Sequence, residues 1–109
     1  MTAAPAALFS LQEIAEAAGG RREAGPAGGS VGSVSIDSRS VGPDALFVAL
    51  RGEHTDGRRF IGAAAAAGAR ALLVSEAEAG ARRAEIADLA ARGVSVIAVR
   101  DTLAALQRL

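Results

Sequence analysis

Residues 45–75 read ALFVALRGEHTDGRRFIGAAAAAGARALLVS, and this stretch decides the fold. Ala45 to Leu50 is a near-continuous apolar run, as expected of a strand covered on both faces. Arg51 to Gly57 is polar and ends in Asp56-Gly57, so it reads as a loop. The spacing then predicts a helix from about Arg59 to Ala67. Its 62–69 portion is almost all Gly and Ala, which permits close approach to a sheet. Arg70 to Ser75 reads as the next strand.

Working outward, the alternation continues toward the carboxyl end. Ala81 to Arg92 has Ile86, Leu89 and Ala90 on one helical face, and Gly93 stops it. Arg82, Arg83, Glu85 and Asp88 read as the solvated side of that helix. Val94 to Val99 is another apolar strand. Asp101 is placed to cap a last helix, Thr102 to Leu109, with Leu103, Leu106 and Leu109 expected on its buried side. Strand and helix alternation of this kind implies right-handed crossovers. The expected fold is therefore α/β: a small, mostly parallel sheet flanked by helices. Residues 1–109 are expected to form a single domain, and an end within the last helix reads as a boundary inside a longer protein.

Toward the amino end, Val34 and Ile36 alternate with Ser33 and Ser35 as a short strand. Val41-Gly42-Pro43-Asp44 is turn chemistry. Residues 21–32 are Gly, Ala, Pro and a few charges, expected to be a loop with one short strand. Ser10-Leu11-Gln12-Glu13 has capping-box spacing, and Leu11, Ile14, Ala15 and Ala18 follow at helical intervals up to Gly19-Gly20.

Composition removes several function classes. Twelve basic residues balance twelve acidic ones, so the positive field that nonspecific nucleic-acid binding requires is absent. All the basic residues are arginine, and a chain without lysine has no Gly-Lys-Ser or Gly-Lys-Thr phosphate loop. There is no cysteine, which excludes disulfides, thiolate metal sites and thiol nucleophiles. His54 is the single histidine, so neither a histidine metal site nor a Ser-His-Asp triad is expected. No apolar run is long enough to cross a bilayer, and the amino terminus lacks a signal peptide's basic start. The expectation is a cytoplasmic protein with no membrane or nucleic-acid partner.

Two polar segments follow expected strands, where ligands gather in open α/β sheets. The first is Asp37-Ser38-Arg39 and the second is Gly52 to Arg59. Ser38 offers a hydroxyl, and Arg39 a planar fork suited to carboxylate or phosphate. The plainer reading of Asp37 and Arg39 is a local ion pair shaping the turn, and of His54 a solvated loop residue. The 28–32 stretch, GGSVG, precedes a strand and does not match a dinucleotide loop. No pair of carboxylates has a defensible acid–base arrangement. Residues alone lead to an α/β domain with a polar ligand edge.

Residues 35–70, SIDSRSVGPDALFVALRGEHTDGRRFIGAAAAAGAR, resemble the amino-terminal domain of the Mur ligase family. The shared pattern is Asp-Ser/Thr-Arg, a Pro-Gly-Asp-like turn, Leu-Phe-Val-Ala, Gly, Asp-Gly, Phe-Ile/Val and Gly-Ala. The turn departs from it, reading Gly-Pro-Asp-Ala. Two branches of the family share this domain type. Phe9 to Ile14 leading to Gly19-Gly20, Ala49 to Glu53, and Val99 to Leu106 look like the branch that adds D-alanyl-D-alanine. Arg58-Arg59 also occurs in the branch that adds the third residue, meso-diaminopimelate or lysine.

The resemblance implies a domain that holds the UDP end of a UDP-muramoyl-peptide substrate. It implies that Ile36, Ser38 and Arg39, with Glu53, His54 and Thr55, line that site. It also implies that ATP and Mg2+ act in other domains of the same ligase, where ATP phosphorylates a carboxylate and an amine then attacks. No catalytic or metal-binding residue, and no cofactor, is expected in this chain. The alternative is a free-standing, non-catalytic α/β module that binds a nucleotide or a protein.

Overall fold

The computed structural model describes residues 9–25, 30–36, 41–42, 44–50 and 61–108. Four consecutive strands form most of its main sheet: β4 (Ser33–Ser35), β5 (Ala45–Val48), β6 (Ala71–Ser75) and β7 (Ser95–Val99). They lie side by side in chain order and all run parallel. β2 (Arg21–Ala24) completes a five-stranded sheet by pairing antiparallel with β7. The expected architecture, a mostly parallel sheet flanked by helices, is what the chain adopts.

Strand order explains the layering. When parallel strands add in one direction, right-handed crossovers place every connecting helix on the same face. α2 (Ile61–Ala66), α3 (Glu76–Ala81) and α4 (Arg83–Ala91) accordingly share one face. There Ile61, Ala64, Ala79, Ile86 and Leu89 pack against Phe47, Leu72, Val74, Val96 and Ala98. The intervening strand residues Leu46, Val48, Leu73, Ile97 and Val99 point the other way. α1 (Leu11–Ala18) covers them with Leu11, Ile14 and Ala18, joined by Ala105 of α5 (Thr102–Gln107). Val31 of β3 (Ser30–Val31) completes this layer, and β3 pairs antiparallel with β1 (Phe9–Ser10). Every residue of β5 and β7 is buried, because both faces of each carry a layer. Full burial of each Val, Leu, Ile or Phe stabilises the fold by about 1.5–3 kcal/mol.

Helix ends follow from local chemistry. Ser10 Oγ accepts from the Glu13 amide at 3.0 Å, and the Glu13 carboxylate accepts from the Ser10 amide at 2.9 Å. Hydrogen bonding of the Glu13 carboxylate to the Ser10 backbone amide first, and then to the Ser10 side chain, holds that carboxyl below the usual carboxylate range. Gly19 then takes φ 72°, the left-handed conformation that closes α1. Asp101 Oδ1 accepts from the amides of Leu103 and Ala104 at 3.0 and 3.2 Å, starting α5.

Four expectations need correction. Residues 21–32 hold two strands rather than one, because β2 gains its place from backbone pairing and not from apolar side chains. α3 was not expected; Ser75 Oγ caps it by accepting from the Glu78 amide at 3.0 Å. Arg82 is not merely solvated: its guanidinium donates to Glu78 and, at 3.2 Å, to Glu85. The Glu78 bond first, then that of Glu85, raises its pKa. Leu103 stands 54% exposed, and α5 instead buries Thr102 and Ala105. Thr102, Ala105 and half-buried Leu106 follow i, i+3, i+4 spacing, and the small first two let α5 sit close to the sheet.

Candidate functional site

The parallel register fixes where each polar segment leaves the sheet. Ser33, Val34 and Ser35 pair with Ala45, Leu46 and Phe47. Ile36 lies one residue beyond the Ser35–Phe47 pair and is 55% exposed. On the adjacent strand, the Ala49 amide still donates to the Leu73 carbonyl at 2.9 Å. The next amide, Leu50, turns back to the Val48 carbonyl at 3.0 Å. That three-residue turn takes the chain off the sheet just before Arg51. Segments 37–40 and 51–60 therefore start from the same end of neighbouring strands. At the opposite end, Ala45 donates to the Gly42 carbonyl at 3.1 Å, closing the turn expected there.

Of the site residues read from the sequence, Ile36 is described and stands at this carboxyl end. Ser38, Arg39, Glu53, His54 and Thr55 lie outside the described residues. Asp37 lies outside them as well.

At the carboxyl ends of the other strands, described polar groups already have structural work. Ser75 and Asp101 cap helices. Arg21, which β2 brings beside the end of β7, pairs with Glu23 at 3.2 Å and Glu76 at 3.8 Å. The sequence reading missed this Arg21–Glu76 bridge because it follows from β2 joining the sheet. Among the described residues no group of three or more His, Asp or Glu is placed to hold a metal ion. No helix among them is long and apolar enough to cross a membrane.

A family description, "Mur ligase family, catalytic domain", matches residues 30–109, which include both polar segments and all four parallel strands. The chain belongs to the Mur ligase family. One Mur ligase relative is the UDP-N-acetylmuramoyl-tripeptide–D-alanyl-D-alanine ligase of Treponema pallidum (strain Nichols). It is 40% identical over 103 residues, covering 94% of this chain and 22% of the relative. Another is the UDP-N-acetylmuramoyl-L-alanyl-D-glutamate–2,6-diaminopimelate ligase of Synechococcus sp. (strain WH7803), 39% identical over 95 residues. That match covers 87% of this chain and 18% of the relative. A crystal structure of MurF from Acinetobacter baumannii shares the fold with a TM-score of 0.72 at 24% identity. It matches over 94% of this chain and 20% of that one. The chain thus spans about a fifth of the length of these Mur ligases.

Proposed function

We propose that this chain is the amino-terminal, substrate-holding domain of a Mur ligase that adds D-alanyl-D-alanine to UDP-N-acetylmuramoyl-tripeptide in peptidoglycan precursor synthesis. The observation that carries this reading is the shared exit of segments 37–40 and 51–60 from the carboxyl ends of β4 and β5. In this reading the residues that follow these strands in sequence bring an apolar side chain, a hydroxyl, a guanidinium and a polar loop to that end of the sheet. On the same reading Ile36 and Ser38 contact the uridine diphosphate portion, and Arg39 offers a planar fork suited to phosphate. Glu53, His54 and Thr55 complete the lining.

A chain without lysine has no Gly-Lys-Ser or Gly-Lys-Thr loop for ATP phosphates. In this reading ATP and Mg2+ act in other domains of the full ligase, so this domain's part is to bind and orient the substrate in the cytoplasm. The Synechococcus relative supports a second reading, the same domain in a ligase adding the third residue to a UDP-muramoyl-dipeptide.

Amide NMR titration tests both. UDP-N-acetylmuramoyl-tripeptide is expected to shift Ile36–Arg39 and Gly52–Gly57 at lower concentration than UDP-glucose or the muramoyl-dipeptide nucleotide. A preference for the dipeptide nucleotide would favour the second reading. Equal response to UDP-glucose, or no response at millimolar ligand, would count against substrate holding by this domain.

A further inference from the structure

We draw no further inference here: the strongest candidate, the exposed apolar stripe of Val34 and Ile36 along the edge strand β4, runs at Ile36 into the site already proposed, and nothing in the structure shows what covers the rest of it.

Discussion

Phe47 and Ser38 separate what holds this domain together from what it is proposed to do. Phe47 is fully buried in β5, between α2 and the neighbouring strands. Phe47→Ala leaves a cavity there and is expected to cost about 3–5 kcal/mol, read as a lower urea midpoint with an unchanged slope. An effect below about 1 kcal/mol would contradict the burial of that ring. Ser38 belongs to the proposed ligand site. Ser38→Ala is expected to weaken UDP-muramoyl-tripeptide binding by about 0.5–1.5 kcal/mol, roughly 2- to 10-fold, with the melting temperature unchanged. Calorimetric titration showing equal affinity in the folded variant would remove Ser38 from the site.

At the scale of elements, two glycines give opposite expectations. A Cβ at Gly20 would collide with the Ala98 carbonyl and the Val99 side chain, so β2 lies against β7 only because that position is bare. Gly20→Ala is expected to destabilise by about 1–3 kcal/mol. Gly80, in α3, would meet nothing within 4 Å, and Gly80→Ala is expected to stabilise by about 0.5–1 kcal/mol. Chemical denaturation of the two variants checks the sign of each change.

The same contrast explains which elements the sequence announced. β5, β6 and β7 were legible because burial on both faces demands unbroken apolar runs, and α1 because Ser10 and Glu13 mark its start. β2 was not, since Arg21-Arg22-Glu23 has no apolar signal; charged side chains are common on edge strands, which they protect from adventitious pairing. α3 has a start signal that overlaps a strand. Ser75 and Glu78 have the same spacing as Ser10 and Glu13, but Ser75 is also the last residue of β6. The candidate site was legible as residue types following two strands. That those strands are neighbours came only from the register of β4 against β5.

For the whole molecule, the two helical layers differ in how they are assembled. The layer of α2, α3 and α4 is built within residues 61–91, between the strands it covers. The opposite layer depends on α1, and β2 closes the sheet beyond β7. The family match begins at residue 30, after both α1 and β2. A chain lacking residues 1–25 would leave Leu46, Leu73 and Ile97 without α1 and β7 without an antiparallel partner. It is expected to lose cooperative melting and to bind a hydrophobic dye. A sharp melt in that truncation would show that residues 26–109 suffice for a folded core.

The pairing of β2 with β7 joins opposite ends of the described chain, and this has a consequence for biosynthesis. Residues 21–24 are translated well before the strand they must flank, which is completed only when Val99 has emerged. Contacts so distant in sequence form late and slowly. The amphipathic α1 segment must therefore stay soluble throughout translation of the strands it will cover. Its eight residues and its exposed Gln12, Glu13 and Glu16 limit the apolar stripe it shows during that wait to Leu11, Ile14 and Ala18.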